Sequence, residues 1–466
     1  MESNWHNQLA SCEELVPVIG NLLRVKQVEL NIYGASLSGL SAIEILKAHR
    51  YARHVLGQEL EAARTLRLAK GITEIELHDA DIDAARLLEV LGSSFSVEQV
   101  QEALGYVPGR NSKSKDVVLY GFGRIGRLVA RILLSQSGQH SGLKLRAIVV
   151  RNGSANDLIK RASLLRRDSV HGRFDGVIKV DEAKNLLIVN GSPVQVIYAS
   201  SPAEVDYPKF GISDALIIDN TGIWRDEAGL EQHLKCVGVA KVLLTAPGKN
   251  PLKNIVFGIN HAEILPEDKI VTAASCTTNA ITPVLKVIND KYGILHGHVE
   301  TVHSFTNDQN LTDNFHKGER RGRSAPMNMV IAETGAAKAV AKALPELAGR
   351  LSGNAIRVPT PNVSLAILNL QLAHDATKES VNDLLRNASI FSNLHKQIDY
   401  VDSPEVVSTD FVGSNRAGVV DGLATIAEEK NAVIYVWYDN EFGYSNQVVR
   451  VAAAMSGLER ATLPAR

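Results

Sequence analysis

Cys276 is the residue best suited to chemistry, because it lies where a predicted strand passes into a predicted helix. Residues 269–273 have the character of a strand and residues 281–288 that of a helix. Unpaired N–H groups and the helix dipole at such a position favour a nucleophilic thiolate. A small buried hydrophobe is the alternative interpretation of a lone cysteine. The neighbouring hydroxyl groups of Ser275 and Thr277 favour catalysis.

A histidine and several basic residues downstream could complete a reactive site. His303 ends a probable strand, and histidine is the natural base for a nucleophilic cysteine. The cluster Arg320-Arg321-Gly322-Arg323 could by itself be a solvated surface. Together with Arg357 and the helix start at Thr334-Gly335, it indicates an anion site, since guanidinium groups and helix N-termini bind phosphate.

A glycine-rich turn supplies a second chemical signal. The predicted strand at residues 116–120 leads into Gly121-Phe122-Gly123-Arg124-Ile125-Gly126, and a predicted helix follows directly. In a dinucleotide-binding fingerprint, Gly121 permits the tight turn and Gly123 lets the backbone approach the pyrophosphate. Gly126 lets helix and strand pack closely. The alternative is a turn that merely needs glycines. The strand before the motif and the helix after it favour a coenzyme site.

The next strand bears on the choice of coenzyme. Residues 143–150 end at Arg151-Asn152-Gly153-Ser154, where an NAD-specific site would usually place an acid for the ribose hydroxyls. The nearest acid, Asp157, comes several residues later. Arg151 could instead meet a 2′-phosphate, which favours NADP or dual use, or it could be a solvated surface charge. Both interpretations stay open.

Further strands predict the architecture. Residues 216–219 and 241–244 end in the small, polar turns Asn220-Thr221-Gly222 and Thr245-Ala246-Pro247-Gly248. Strands that alternate with helices and carry such loops at their carboxyl ends indicate an α/β fold with a doubly wound, mostly parallel sheet. Cys276 follows another such strand, so we expect its thiol beside the coenzyme crevice.

Residues 1 to about 114 have a different, mainly helical pattern. Leu40, Ile43 and Leu46 are spaced as one face of a helix, and Ser96-x-x-Gln99 predicts a capping box for a helix that ends near Gly105. No chemistry is apparent in this region.

Two glycine-containing stretches interrupt that region. Residues 34–39 follow a strand-like segment but lack the Gly-Lys-Ser/Thr ending of a phosphate loop, which favours a plain turn. Residues 108–115 are polar and turn-rich, and we interpret them as a linker.

Composition limits the remaining possibilities. A chain of 466 residues is too long for one ordinary core, and its net charge of −1 gives no reason to expect nucleic acid or a membrane as a partner. Cys12, Cys236 and Cys276 are far apart and odd in number, so neither a disulfide framework nor a metal site is predicted. No secretory signal or membrane span is visible, which indicates a reducing cytoplasm.

Residues from about 116 onward resemble the phosphorylating glyceraldehyde-3-phosphate dehydrogenases, over roughly three quarters of the chain. The segments that carry the resemblance are 121–127 (GFGRIGR), 168–174 (DSVHGRF), 274–279 (ASCTTN), 302–309 (VHSFTNDQ), 334–338 (TGAAK), 357–364 (RVPTPNVS) and 437–444 (WYDNEFGY). The resemblance implies a Rossmann-type doubly wound parallel sheet plus an α+β catalytic domain, preceded by a helical N-terminal extension. We place the extension at 1–114, the dinucleotide-binding domain at 115–275, completed by a helix at 441–466, and the catalytic domain at 276–440.

The resemblance also implies roles for single residues. Cys276 would attack the aldehyde and His303 would act as base, and inorganic phosphate would cleave the resulting thioester. The implied positions for NAD or NADP are Gly121, Phe122, Gly123, Arg124, Ile125, Gly126, Arg151, Thr221, Gly222, Thr245, Asn440 and Tyr444. The implied phosphate positions are Thr306 and Arg357 for the substrate, and Ser275, Thr277, Arg323, Thr334 and Gly335 for inorganic phosphate. A homotetramer is the usual assembly of the family.

Three departures from the family pattern leave questions open. The strand-end acid is missing, Asn314-Phe315 stands where NAD-specific members usually carry Leu-Pro, and the ordinary enzyme lacks the N-terminal region. Erythrose 4-phosphate is an alternative substrate, because the segment from His303 to Asp308 would suit either aldehyde, although Thr334-Gly335-Ala336 is more similar to the triose enzyme. A regulatory or scaffold protein with a vestigial dehydrogenase domain is an alternative of another class. The reaction is reversible, so residues do not decide between a glycolytic and a gluconeogenic direction.

Overall fold

A computed structural model describes residues 2–57, 59–109, 114–136, 142–151 and 153–464. The chain divides into two compact units. The small unit comprises Met1–Ser114, Ser137–Gly142 and Leu458–Arg466, and the large unit comprises Lys115–Gln136 and Leu143–Gly457. Half of the predicted linker, residues 110–113, lies outside the described residues, as does Asn152.

The α-helices are distributed over both units, and α1 to α6 belong to the small one. They are α1 (Glu2–Asn21), α2 (Ala42–Tyr51), α3 (Arg53–Leu56), α4 (Ala62–Glu74), α5 (Ala84–Leu91), α6 (Val97–Leu104), α7 (Arg124–Gln136), α8 (Asp157–Arg166), α9 (Glu227–Leu234), α10 (Cys276–Tyr292), α11 (Ala336–Ala343), α12 (Lys378–Phe391) and α13 (Phe442–Met455). Within the described residues, none of them combines the length and the apolar character that crossing a membrane requires.

The strands form three principal sheets. They are β1 (Glu29–Ile32), β2 (Ala35–Ser36), β3 (Ala80–Asp83), β4 (Ser114–Tyr120), β5 (Gly142–Val150), β6 (Arg167–Asp168), β7 (Gly172–Arg173), β8 (Ile178–Asp181), β9 (Leu186–Val189), β10 (Ser192–Tyr198), β11 (Ala215–Asp219), β12 (Val239–Leu244), β13 (Ile270–Thr272), β14 (Ile294–Ser304), β15 (Val330–Glu333), β16 (Leu351–Val358), β17 (Ser364–Leu372), β18 (Ile398–Val401), β19 (Gly418–Asp421), β20 (Ile426–Glu428), β21 (Asn431–Tyr438) and β22 (Ala461–Leu463).

The small unit is largely helical, as predicted, and also contains a sheet in the order β2-β1-β3-β22. A tight turn at Tyr33 and Gly34, both with positive φ, joins the antiparallel strands β1 and β2, so the prediction of a plain turn is confirmed. The capping box of Ser96 and Gln99 and the helix end at Gly105 are confirmed as well.

One apolar face in the small unit was predicted wrongly. Helix α2 buries Ile45, Leu46 and His49, whereas Ile43 is 43% exposed. His49 lies on the buried face because its Nε2 pairs with Oγ1 of Thr65 at 2.9 Å. A buried polar pair of this kind is invisible to a search for apolar periodicity.

The larger sheet has the order β13-β12-β11-β4-β5-β10-β9-β8. Pairings from β13 to β4, and between β5 and β10, are parallel, whereas β8 and β9 form an antiparallel edge. Apolar clusters cover both faces, and α13 and α7 pack together within one of them. The doubly wound, mostly parallel sheet is therefore confirmed.

The third sheet forms the α+β part of the large unit. Its order is β15-β16-β14-β17-β21-β19-β18, and β14 pairs in parallel with β16 and antiparallel with β17. Helices α10, α11 and α12 contribute to the apolar cluster on this sheet. Helix α10 follows β13 of the mostly parallel sheet and precedes β14 of the mixed sheet, so it connects these two sheets.

An arginine clamps three strands of the small unit. Nη1 of Arg460 lies 3.0 Å from Oε2 of Glu29 on β1 and 3.5 Å from Oδ1 of Asp81 on β3. Arg460 immediately precedes β22, which pairs in parallel with β3. Its guanidinium group therefore separates two carboxylates that would otherwise repel each other.

We predict that Arg460→Met destabilises the small unit by about 3 kcal/mol, because it leaves two largely buried carboxylates without their partner. Urea unfolding and hydrogen exchange at the amides of β3 would measure the loss. Arg53→Met, at an exposed arginine of α3, is the control. Unchanged exchange at β3 in the Arg460 variant would contradict the clamp.

Candidate active site

The thiol of Cys276 lies at the N-terminus of α10, as predicted. Ser275 is the N-cap residue, and its Oγ accepts a hydrogen bond from the backbone N–H of Thr278 at 3.0 Å. Ala274, just before it, has φ of 54°, a left-handed conformation that is unusual for a residue other than glycine. The hydroxyl of Tyr444 donates to its carbonyl at 3.0 Å and so stabilises this turn.

His303, near the end of β14, faces the thiol. Its Nε2 lies 3.6 Å from Sγ of Cys276. The parallel register of β14 and β16 pairs His303 with Arg357. Nη1 of Arg357 lies 2.7 Å from Nδ1 of the imidazole and 3.1 Å from the carbonyl of Ser304. Adjacent strands thus bring the predicted base and the predicted phosphate ligand together.

The tautomer of His303 depends on what Nδ1 contacts. Nδ1 also lies 2.7 Å from the carbonyl oxygen of Ser304. If Nδ1–H donates to Ser304, the lone pair of Nε2 points to the sulfur, as a base requires. If Nδ1 instead accepts from Arg357, Nε2 carries the proton. An anion that binds the guanidinium group of Arg357 therefore favours the basic tautomer.

Burial disfavours a single charge on either partner. It raises the pKa of the Cys276 thiol, while the charge of Arg357 and hydrogen bonds from Thr277 and the backbone act to lower it. Burial and then the charge of Arg357 lower the pKa of His303 to about 3. Transfer of the proton from sulfur to nitrogen creates no net charge, so the coupled pair avoids much of this penalty. The ion pair is thus the charged form that burial penalises least at these two residues.

Buried hydroxyl groups surround the reacting pair. The hydroxyl of Tyr438 lies 2.9 Å from Oγ1 of Thr277 and 2.7 Å from Oγ1 of Thr301. Oγ of Ser364 donates to Oδ1 of Asn440 at 2.9 Å. Because Oδ1 is engaged, the amide nitrogen of Asn440 is the group suited to donate to a ligand.

The glycine loop between β4 and α7 fits a dinucleotide. A Cβ atom at residue 126 would lie 2.5 Å from the carbonyl oxygen of Gly121, so Gly126 is required for the close packing of helix and strand. Gly121 has φ of 93°. A Cβ atom at Gly123 would meet nothing within 4 Å, so open space for a pyrophosphate lies over the backbone at the helix N-terminus.

A cavity of about 380 Å³ lies beside this loop. The residues that line it come from β4, β5, α8 and the turns that follow β4, β5, β10 and β11; they are Tyr120, Gly121, Phe122, Gly123, Val149, Val150, Arg151, Arg161, Ala199, Thr221, Ile223 and Trp224. Four of the predicted coenzyme residues outside the helix, Gly121, Phe122, Gly123 and Thr221, line it together with Arg151. The structure thus brings the glycine loop and the end of β5 to one cavity.

The turn after β11 is held by two residues that the sequence analysis missed. Oδ1 of Asp219 accepts from the backbone N–H and Oγ1 of Thr221 at 2.8 and 2.7 Å. Oδ2 of Asp219 lies 3.0 Å from Nε2 of His233 on α9, and both side chains are fully buried. The carbonyl of Asp219 also accepts from Oγ1 of Thr245 at 3.1 Å. Gly222 follows Thr221 with φ of 63°.

Arg124 of the glycine loop belongs to a buried ionic network. It pairs with Asp168, and its Nε donates to Oε2 of Glu441 at 2.7 Å. His171 joins the network, since its Nε2 lies 2.9 Å from Oδ2 of Asp439. Asp439 and Glu441 flank Asn440, so the network ties the loop to the segment that carries this predicted ligand. Ile125, the next residue of the loop, packs against the sheet.

Three of the predicted phosphate ligands, Thr306, Thr334 and Gly335, lie at the ends of strands or helices. Thr306 is half-buried in the turn after β14, and Gly335 is the N-cap residue of α11, where Oγ1 of Thr334 accepts from a backbone N–H at 3.1 Å. Arg323, in contrast, pairs with Asp313 at 2.9 Å on the surface.

Arg321 is the arginine of the same cluster whose charge acts on Arg357. It pairs with Asp308, which also acts on Arg357. The cluster itself was visible in the sequence, and the family resemblance pointed to Arg323 within it rather than to Arg321.

Comparisons with known proteins agree with this geometry. Residues 115–227 match the glyceraldehyde 3-phosphate dehydrogenase NAD binding domain, and residues 275–440 match the C-terminal domain of the same family. A glyceraldehyde-3-phosphate dehydrogenase-like protein of Pseudomonas aeruginosa is 58% identical over 97% of this chain and 100% of its own length.

Two further relatives cover a smaller share of the chain. The glyceraldehyde-3-phosphate dehydrogenase of Zymomonas mobilis is 40% identical over 73% of this chain and 98% of its own. Glyceraldehyde-3-phosphate dehydrogenase 1 of Bacillus subtilis is 40% identical over 72% and 97%.

We predict that His303→Asn slows alkylation of Cys276 by iodoacetamide about 100-fold at pH 7. Without its partner the thiol titrates at a pKa raised by burial above the ordinary 9.0, so about 1% or less is thiolate at pH 7. The rate should recover as the pH rises. His298→Asn, on the same strand, is the control, and an unchanged rate at pH 7 in the His303 variant would contradict this assignment.

Proposed function

Because the chain belongs to the glyceraldehyde-3-phosphate dehydrogenase family, we propose that it oxidises glyceraldehyde 3-phosphate to 1,3-bisphosphoglycerate. The reaction consumes inorganic phosphate, uses NAD or NADP and proceeds through a thioester on Cys276. The observation that carries this proposal is the contact of 3.6 Å between Sγ of Cys276 and Nε2 of His303, beside Arg357.

The first step is addition of the thiol to the aldehyde. Nε2 of His303 takes the thiol proton while the sulfur adds to the carbonyl carbon, and the imidazolium returns that proton to the oxygen, which gives a hemithioacetal. Backbone N–H groups at the start of α10 and the protonated imidazole are suited to stabilise the oxyanion that develops. Because burial disfavours an isolated thiolate, this proton transfer is needed for the sulfur to react.

Oxidation then produces the thioester. When bound, the nicotinamide of the coenzyme supplies the hydride acceptor. His303 accepts the proton that the hemithioacetal hydroxyl loses as the carbonyl of the thioester forms. The amide of Asn440 is suited to orient the carboxamide of the nicotinamide, and Tyr444 packs beside the turn that carries Cys276.

Two phosphate groups have to be bound. Thr306 and Arg357 are the proposed ligands of the substrate phosphate, which would also draw Arg357 from Nδ1 of His303 and so favour the basic tautomer. Inorganic phosphate cleaves the thioester, and its proposed ligands lie at helix N-termini or carry a guanidinium group: Ser275, Thr277, Thr334, Gly335, Arg323 and Arg321. Arg321 is favoured over Arg323 because its charge acts on Arg357.

We propose a homotetramer, the usual assembly of the family. Exposed apolar side chains support an interface in the segment between β14 and β16; they are Leu311, Phe315, Met327, Met329 and Ile331, each at least 60% exposed. A reducing compartment such as the cytoplasm is proposed as well, since the three cysteines are free thiols and Cys276 has to stay reduced.

Turnover tests the proposal. We expect full-length protein to form NADH or NADPH from glyceraldehyde 3-phosphate only when inorganic phosphate is present, and faster than from erythrose 4-phosphate. Cys276→Ser should lower this rate by about 10⁴-fold or more, because a serine hydroxyl is not ionised here, and should leave coenzyme binding unchanged. Substantial turnover by the serine variant would disprove the thioester route. Faster turnover of erythrose 4-phosphate would identify that aldehyde as the substrate.

We predict that Arg321→Ala raises the KM for inorganic phosphate about 10-fold or more, because a charge-assisted hydrogen bond is lost. Arg323→Ala, two residues away, should raise it less than about 2-fold, since an exposed ion pair contributes little. Initial rates at varied phosphate measure both effects. A larger increase of this KM in the Arg323 variant than in the Arg321 variant would identify Arg323 as the phosphate ligand.

A further inference from the structure

The cavity at the end of β5 carries positive charge and no acid. Among the twelve residues that line it are Arg151 and Arg161, whereas aspartate and glutamate are missing from the lining. The remaining residues are glycine, threonine, aliphatic or aromatic. Within the part of the chain that the structure describes, the cavity therefore offers an anion two guanidinium groups.

Arg151 directly follows β5 and has an exposed side chain. Burial and then the charge of Asp219 raise the pKa of Tyr120 to about 12, and the charge of Arg151 opposes this rise. The guanidinium charge thus acts at the wall of the cavity. No ion pair joins Arg151 to another of the described residues.

The acid nearest to Arg151 along the chain, Asp157, does not line the cavity. Oδ2 of Asp157 accepts from Nε of Arg161 at 2.6 Å, and its carboxylate also accepts from the hydroxyl of Tyr198. A Cβ atom at Gly153 would lie 2.5 Å from Oδ1 of Asp157, so the carboxylate packs closely against that glycine. Asp157 is therefore engaged by Arg161 and Tyr198 and does not line the cavity.

Arg161 also fixes the position of Arg151. Its Nη2 donates to the backbone carbonyl of Arg151 at 3.0 Å. Arg161 lies on α8, so the helix and the end of β5 are joined at the point where both arginines reach the cavity. Asp157 neutralises one of the two charges, which leaves a net charge of about +1 at this end of the site.

We propose that this cavity binds the 2′-phosphate of the adenosine ribose and that the protein prefers NADP to NAD. The preference rests on the proposed function, since it concerns the coenzyme of the same reaction. A free ribose 2′-hydroxyl is usually bound by a carboxylate at the end of this strand, and a 2′-phosphate by an arginine. Here Arg151 takes that position, and Arg161 pairs with Asp157, the acid nearest to Arg151 along the chain.

Nucleotide fragments test this without turnover. Calorimetry on full-length protein would compare adenosine 2′,5′-bisphosphate with adenosine 5′-monophosphate at fixed ionic strength. We expect the bisphosphate to bind about 10-fold or more tightly. Arg151→Ala should remove most of that difference and leave the affinity for the monophosphate unchanged. Arg167→Ala, at an exposed arginine that does not line the cavity, is the control.

Equal affinity of the wild-type protein for the two fragments would overturn the inference, and so would a bisphosphate affinity that Arg151→Ala does not change. Kinetics complete the test, because kcat/KM should favour NADP, and Arg151→Asp should reverse the preference by restoring an acceptor for the 2′-hydroxyl. If fragments are discriminated but neither coenzyme supports turnover, the proposed function fails and the phosphate site stands. Phosphate-dependent turnover without discrimination would refute the phosphate site alone.

Discussion

The contact between Cys276 and His303 is the constraint on which the rest of the large unit depends. The two residues come from different sheets: the cysteine follows β13 of the parallel sheet, and the histidine ends β14 of the mixed one. Neither group can easily carry a charge alone in this buried place, so each requires the other at a distance that permits proton transfer. Helix α10 connects the two sheets and fixes that distance.

Backbone strain lies at both sides of this contact. Ala274 and Val363 have φ of 54° and 65°, and a β-branched residue such as valine rarely adopts that conformation. Such residues cost about 1–3 kcal/mol each and persist only where their surroundings fix them. Tyr444 donates to the carbonyl of Ala274, and Oγ of Ser304 donates to that of Val363 at 2.9 Å. The strain is thus held by side chains of the site itself.

Much of the reactive centre could be predicted from the sequence, because it depends on local patterns. Neighbouring residues are enough to predict a cysteine at a helix start, a histidine at a strand end and glycines between a strand and a helix. The structure confirms the placement of Cys276, His303 and the glycine loop at these element ends. The roles implied by the family resemblance stay proposals.

Features that depend on distant contacts could not be predicted. The pairing of Asp219 with His233 joins a strand end to a helix, and only the fold reveals that the pair fixes the turn at Thr221. Likewise, the sequence alone could not show that Asp157 is engaged by Arg161 and Tyr198 and does not line the cavity.

The position of β22 has a consequence for biosynthesis. Strands β1 and β3 leave the ribosome early, but the strand that pairs with the edge of β3 is made only after the entire large unit. Until then β3 presents unpaired backbone groups and Glu29 and Asp81 lack the arginine that separates them. The small unit therefore cannot complete its fold in the order in which the chain is translated, because its last strand is made after the large unit. Its partly formed sheet has to stay protected until elongation ends.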